Sequence, residues 1–396
     1  METWSIHQLV QQAEQLLGQE KTEDLARYAQ QLISKDVAVV FTLAHLAEIV
    51  GVNYEMLQET VNRVRETSNY RMYAIRKRSG GRRFIHAVCA DLFSVQQFIN
   101  RDILQKRAPH PSSFAFHPSG GIRKCAAQHC GAKWIFQFDL RDFFYDVDES
   151  DCYRIFRGLG YTKLLSFEFS RLCTTTHLPK GNKRRLHDAQ RQYFGYSRSS
   201  KRCHVPDRFF PYTLLRQYDL LGVLAQGAPT SPMLSNLAAH KLDVSLHSYA
   251  VQHSFVYTRY ADDITISAAR LPHSMKPGDV CRKVLGRIRL AGFRENSRKM
   301  RIAGPGSKKV VLGLLVDGLR PRISKETYRR IDRHLHACRR YGLIATSAHE
   351  GFDSAYGFHN HLSGLIAFVK DVDPVRWQDF ILRFEQIPIP WKQTAA

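Results

Sequence analysis

The segment Phe255-Val256-Tyr257-Thr258-Arg259-Tyr260-Ala261-Asp262-Asp263-Ile264-Thr265-Ile266-Ser267 constrains the fold of this chain more than any other stretch. β-rich, roughly alternating runs on both sides of two aspartates read as a hairpin with the acids at its bend. Two carboxylates side by side at such a tip repel each other unless a cation joins them, and hard carboxylate oxygens suit a divalent ion such as Mg²⁺. An Asp-Asp pair alone reads as an ordinary solvated turn. The apolar and aromatic flanks argue for a packed hairpin, so the meaning of the pair rests on its companions upstream.

Charge narrows the class of partner. The 396 residues carry a formal net charge of +22, unevenly spread. Residues 1–60 hold three basic side chains (Lys21, Arg27, Lys35) against nine acidic ones, which leaves +28 on the remainder. A body this basic attracts a polyanion, and nucleic acid is the default. A basic membrane-surface protein would show a basic amphipathic helix, whereas here the cations are spread over many elements. No apolar run approaches the roughly 20 residues of a membrane span. The N-terminus lacks the basic and apolar regions of a signal peptide, so the expected location is cytoplasmic, with the eight cysteines reduced.

Periodicity divides the chain. Residues 1–66 show apolar positions at three- to four-residue spacing and read as an acidic helical N-terminal extension. At Tyr70–Ile85 the period switches to two around Ser79-Gly80-Gly81, which predicts a basic β-hairpin. Helical spacing over about 91–106 is followed by a loop rich in Pro, Ser and Gly (108–121). Trp134–Leu140 is a strand of buried type ending in an acid, and 149–177 is helical again. Residues 178–212 carry nine Lys/Arg, among them Arg184 and Arg185, with Tyr193, Phe194, Tyr196, Phe209 and Phe210 interleaved. This patch suits a phosphate backbone and unpaired bases, and reads equally as a solvated insertion. A strand pair is expected around 300–318 and helices over 324–388.

Three segments combine into a chemistry: Phe138-Asp139-Leu140-Arg141-Asp142-Phe143-Phe144, then Gln226-Gly227-Ala228-Pro229-Thr230-Ser231-Pro232, then Tyr260-Ala261-Asp262-Asp263. Nucleotidyl transfer uses two divalent ions about 3.5–4 Å apart, held by carboxylates from separate strands. Asp139 and Asp262 have the placement to bridge both ions, with Asp263 in support. The small residues of the second segment allow a backbone to approach a nucleotide closely. Cys125, His129 and Cys130, with Cys203-His204, raise zinc as an alternative, but paired CxxC spacing is missing.

The constellation resembles that of the reverse transcriptases, and the resemblance runs from about residue 70 to 385. It implies an α+β right-hand polymerase with fingers (67–130), palm (131–300, with the basic insertion 178–212), a primer-grip hairpin (301–318) and a helical thumb (319–396), behind the extension 1–66. It implies two Mg²⁺ ions on Asp139, Asp262 and Asp263, with Leu140 beside them at the metal site, and dNTP substrates. Phe144 takes the position that excludes a nucleotide 2′-hydroxyl. Gln226, Arg83, Lys77 and Lys299 take nucleotide-binding positions. Tyr260, Gly313, Leu314, His129, Arg184 and Arg185 take primer- or RNA-binding ones.

Within that family the chain is most similar to bacterial retron reverse transcriptases, through Arg259-Tyr260-Ala261-Asp262-Asp263 and the thumb segment His361–Val369. Those enzymes usually carry Asn-Ala-x-x-His where this chain has Cys125-Ala126-Ala127-Gln128-His129, and Val-Thr-Gly where it has Val311-Leu312-Gly313. The resemblance implies a structured non-coding RNA as partner, primed from one of its 2′-hydroxyls. It also implies a short single-stranded DNA product joined to that RNA, an associated effector or toxin protein, no membrane, and a role in antiphage defence. Two alternatives stay open at this point: another bacterial reverse transcriptase of group II intron or abortive-infection type, and an RNA-binding scaffold with a vestigial polymerase.

Overall fold

A computed structural model describes residues 6–76, 80–182 and 221–392. In chain order the elements are α1 (Ile6–Leu17), α2 (Gln19–Ile33), α3 (Leu43–Val50), α4 (Tyr54–Val61), the short α5 (Glu66–Asn69), β1 (Tyr70–Arg76) and β2 (Arg82–Val88). Next come α6 (Ala90–Phe98), α7 (Ile122–Ala127), β3 (Trp134–Asp139), α8 (Glu149–Leu159), α9 (Lys163–Cys173), β4 (Thr174–Thr175) and β5 (Val223–Leu224). The second half holds α10 (Ser231–Ala238), α11 (His240–Gln252), β6 (Val256–Tyr260), β7 (Asp263–Ala268), α12 (Pro277–Leu290), β8 (Arg301–Ala303), β9 (Val310–Val311) and β10 (Leu314–Leu315). It closes with α13 (Lys325–Tyr341), α14 (Leu343–His349), α15 (Ala355–Lys370) and α16 (Pro374–Glu385). Among the described residues no helix is long and apolar enough to cross a membrane.

The described residues form two compact units, each discontinuous in sequence. The first gathers Met1–Pro118, Asp139–Leu246 and Lys283–Asn296. The acidic N-terminal helices belong to its core: Leu32, Leu46 and Leu57 are fully buried. Tyr28 donates to the Val40 carbonyl, and Tyr161, from the turn between α8 and α9, donates to the Ala38 carbonyl. The predicted hairpin forms from β1 and β2, with Tyr70 opposite Val88 and Arg76 opposite Arg82.

A buried ionic cluster ties this unit together. Glu149, the first residue of α8, is wholly buried and accepts from Arg63 (2.7 Å), from Arg171 of α9 and from the Gly222 amide (3.0 Å). Arg63 also pairs with Glu66 at 2.8 Å, and Glu66 accepts from the Thr176 amide. A Cβ on Gly222 would come within 2.3 Å of the Arg63 guanidinium, so this approach requires glycine. Burial pushes the Glu149 carboxyl upward, but Arg63 and Arg171 outweigh it and hold it below its ordinary range.

The second unit gathers Ser119–Phe138, His247–Arg282 and Ser297–Ala396. Its sheet has the order β6-β7-β3-β8. β6 and β7 pair antiparallel from Val256–Ser267 to Tyr260–Asp263, and β3 pairs antiparallel with β8. Thus β8 joins this sheet, and the expected strand pair around 300–318 reduces to the short β9–β10 hairpin. That hairpin packs with the C-terminal helices: Val311, Leu314, Ile331, Leu335, Phe358, Leu362 and Ile366 share one core. In α13 the buried positions Ile331, His334, Leu335 and Cys338 repeat at three- and four-residue steps, the stripe of an amphipathic helix.

Replacing Glu149 by alanine leaves the buried Arg171 guanidinium without its carboxylate and Arg63 with Glu66 alone, and should cost about 3–5 kcal/mol, measured as a drop in the urea midpoint. The carboxylate's contribution is fully present above the unfolded carboxyl's range and is lost as pH falls below that range and through the lower range of the folded carboxyl.

Candidate active site

Asp139 ends β3 as a nearly buried carboxylate. Asn296 holds it twice: the amide side chain donates to Oδ1 at 2.9 Å, and the backbone N–H donates to the Asp139 carbonyl at 2.8 Å. Leu140 bridges to Glu295, and the Arg141 amide donates to the Arg294 carbonyl at 2.7 Å. Residues 294–296 therefore run as a splint along 139–141. Arg294 in turn pairs with Asp146 (2.8 Å) and Asp142 (3.3 Å). Burial pushes Asp146 up to about 7, with Arg294 acting in the opposite sense. The Leu140 side chain is buried, so only its carbonyl has metal-ligating chemistry.

The second carboxylate pair sits where the hairpin pattern predicts. Tyr260 pairs with Asp263 across the ladder, leaving Ala261 and Asp262 as a two-residue connection. Ala261 adopts φ of 55°, a left-handed value that costs a non-glycine residue energy. The strain is braced from beneath: Arg259, fully buried, donates to the Ala261 carbonyl at 3.0 Å. Asp262 is half-buried and Asp263 exposed. At the far end of β7, the Ala268 carbonyl accepts from the Lys133 amide at 3.0 Å, just before β3 begins. With the start of β3 at the end of β7, the two neighbours run antiparallel. Among the described residues no three His, Cys, Asp or Glu side chains are grouped so as to hold a metal ion by themselves.

The other predicted positions divide. Gln226 is half-buried and its carbonyl accepts from the His86 amide of β2 at 2.8 Å. A Cβ on Gly227 would meet the His86 carbonyl oxygen at 2.7 Å, so that glycine's freedom serves contact with β2. Phe143 is buried and Phe144 half-buried. Arg83, Lys299 and Gly313 are exposed, and Tyr260 is half-buried. Lys77, Arg184 and Arg185 lie outside the described residues, as do Cys203 and His204.

Two nucleic-acid contacts are corrected. His129 is wholly buried, with Nδ1 bonded to the Ser267 hydroxyl and Nε2 to the Thr258 hydroxyl, each at 2.7 Å. It braces the hairpin from the core, and burial lowers it to about 3. Leu314 is likewise a core residue; Gly313, at φ of 84°, is the exposed member of that pair. Cys125 donates to Thr258, and burial pushes its thiol up to about 11.

A basic groove of about 1110 Å³ opens in the second unit, where Lys308, Arg322, Lys325, Arg329, Arg330, Arg333 and Arg376 outnumber Glu326 and Asp373. The Arg376 guanidinium lies 4.5 Å over the Tyr328 ring, and the Tyr328 hydroxyl donates to Asp373 at 2.7 Å. Sequence reading gave the basic helical region but not the groove: Lys325, Arg329, Arg330 and Arg333 lie on α13, whereas Lys308, Arg322 and Arg376 join them from separate segments. It passed over Asn296 and Arg294 for a similar reason: their partners lie about 150 positions away. The only local signal was Asn296 standing three residues before Lys299.

Residues 75–314 match the reverse transcriptase (RNA-dependent DNA polymerase) family. The chain belongs to that family and has its polymerase fold. Its curated relatives include the Retron Ec86 reverse transcriptase of Escherichia coli, 29% identical over 67% of this chain and 69% of the relative. The Retron Mx65 reverse transcriptase of Myxococcus xanthus is 28% identical over 89% of this chain and 73% of the relative. The Retron Mx162 reverse transcriptase of the same organism is 25% identical over 86% and 66%. Within the family, then, this is a reverse transcriptase of the retron type.

A buried neutral histidine makes stability depend on pH. Between about 6.5 and 3 the unfolded state binds a proton that folded His129 refuses, so stability falls as pH drops through that window. Each unit costs about 1.4 kcal/mol. A His129→Gln variant should show a shallower loss from pH 6.5 to 5 in chemical denaturation, whatever its stability at neutral pH.

Proposed function

We propose that this enzyme copies part of a structured non-coding RNA into short single-stranded DNA that stays joined to it, with Asp139, Asp262 and Asp263 as the metal-binding residues. The observation that carries this reading is the sheet order, in which β3, ending in Asp139, is the antiparallel neighbour of β7, which begins at Asp263. The donors suit Mg²⁺: hard oxygens, one of them set by Asn296. Mg²⁺ typically takes one or two carboxylates together with substrate phosphates and water, so a closed protein cage is not required. When bound, two such ions activate the attacking hydroxyl and neutralise the triphosphate.

The chain's own residues do the rest. Asn296 and the 294–296 splint keep Asp139 in one orientation, and Arg259 keeps the Asp262 bend in shape. Phe144 sets a steric limit on the sugar and Gln226 lines the nucleotide pocket. Arg83, Lys77 and Lys299 are the nucleotide-binding residues of this reading. Tyr260 and Gly313 hold the primer strand. Arg184 and Arg185 are RNA-binding residues in this reading. The groove around Arg329 and Arg330 binds the phosphate backbone of the folded RNA, since basic side chains clustered along one helix are an electrostatic footprint. Priming from a 2′-hydroxyl, an associated effector protein, a cytoplasmic site of action and a part in antiphage defence complete the reading.

Primer extension on an RNA template tests the metal site. Asp262→Asn and Asp263→Asn should each lower DNA synthesis by at least about a hundredfold, and chelation should abolish it until Mg²⁺ is restored. Undiminished synthesis by either variant would remove that residue from the metal site. For the groove, Arg329→Gln with Arg330→Gln should weaken RNA binding and reduce the slope of log affinity against log salt by about 2. RNA binding with an unchanged salt slope would count against it.

A further inference from the structure

The loop preceding the second unit holds a strained aromatic residue. Phe116 adopts φ of 68°, a conformation that glycine takes freely and a bulky side chain takes at a cost. The surrounding loop is fixed on every side. Asn236 of α10, wholly buried, donates to the Ala115 carbonyl at 2.6 Å and bonds the Ser113 hydroxyl through Oδ1 at 3.1 Å. Gln105 donates to the Phe116 carbonyl at 3.0 Å, and His117 bonds the Ser113 carbonyl at 2.8 Å. A loop held this firmly can sustain an unfavourable backbone angle at one residue.

The conformation presents the Phe116 ring to Phe144. Their centroids are 6.3 Å apart with planes tilted by 38°, within the range of an aromatic pair. Phe143, itself buried against Phe293 at 5.6 Å, packs on Phe144 at 5.8 Å. Phe144 is thus contacted by two other rings. A side chain that discriminates by steric exclusion must be unable to swing away, and a half-buried phenylalanine with two ring contacts has fewer rotamers open to it than one with a single contact.

We infer that Phe116 is a positioning residue for substrate selection: its ring holds Phe144 in the orientation that rejects ribonucleotides. The inference rests on the reading of Phe144 as the residue that excludes a 2′-hydroxyl, and the experiment separates the two. Single-nucleotide incorporation is measured with dNTP and with the matching rNTP for the unmodified enzyme, Phe116→Gly, Phe116→Leu, Phe144→Ala and the Phe116→Gly/Phe144→Ala pair. Glycine suits the backbone angle, so Phe116→Gly removes the ring without adding strain, and Phe116→Leu serves if the glycine variant does not fold.

The dNTP-to-rNTP ratio of kcat/KM should fall about three- to tenfold in Phe116→Gly, the range an aromatic pair can carry. It should fall further in Phe144→Ala, and the double variant should match Phe144→Ala alone. A uniform loss with both nucleotides and an unchanged ratio would reduce Phe116 to a structural part of the loop and overturn the inference. An unchanged ratio in Phe144→Ala would overturn the assignment of Phe144, and the inference with it.

Discussion

Glu149 between Arg63 and Arg171 is the interaction on which the first unit depends. Three stretches distant in sequence meet there: the turn after α4, the end of α9, and the segment entering β5. A buried ion triad of this kind contributes little net stability, because desolvating three charges offsets most of their attraction. Its effect is geometric. Each arm has one place in which its charge is satisfied, so the strands β4 and β5 and the Gln226 turn that follows them start from a defined point. The turn is then fastened to β2 by the His86–Gln226 hydrogen bond, and Gly227 has no Cβ to keep the two backbones apart.

The second unit solves a related problem at the hairpin with the same means. Two aspartates at a strained bend need positive charge and a rigid base. Arg259 supplies a buried guanidinium bonded to Ala261, and His129 supplies a neutral ring whose two nitrogens engage hydroxyls on β6 and β7. A charged histidine at that position would add a cation the pocket cannot solvate, which is why burial keeps it neutral. The left-handed Ala261 and the left-handed Phe116 are alike in this respect: each is a costly backbone angle near a candidate site residue, with a buried polar side chain donating to its own carbonyl or to that of the residue before it.

What was legible in the sequence follows from which forces act locally. The period-two runs around Asp262 and around Gly80 specified their hairpins, because strand alternation and turn chemistry are properties of a few consecutive residues. The helical region that holds α13 was legible for the same reason. His129 was not, because its cluster with Cys125 and Cys130 shows nothing of the hydroxyls that Ser267 and Thr258 bring to it from β6 and β7. Gly227 could be recognised as a close-approach residue, but not that the approaching group is the His86 backbone. Asn296 is the clearest case. Its bond to Asp139 joins residues 157 positions apart, and no local pattern distinguishes an asparagine that orients a carboxylate from one that caps a turn.

Net charge shows the same limit in a more instructive form. A surplus of +28 outside residues 1–60 argues correctly for a polyanionic partner, but the cations differ in what they can reach. Arg63, Arg171 and Arg259 are enclosed by carboxylates or carbonyls, and Lys309 is buried with its ammonium on the Ser307 carbonyl. These charges shape the protein and have no access to a phosphate. The seven cations of the α13 groove are the reverse: four lie along α13, three come from distant segments, and they converge on one face with two acids among them. A count of lysine and arginine therefore identifies the class of partner. The burial of each cation decides where that partner binds, and only those left facing solvent release counterions when it does.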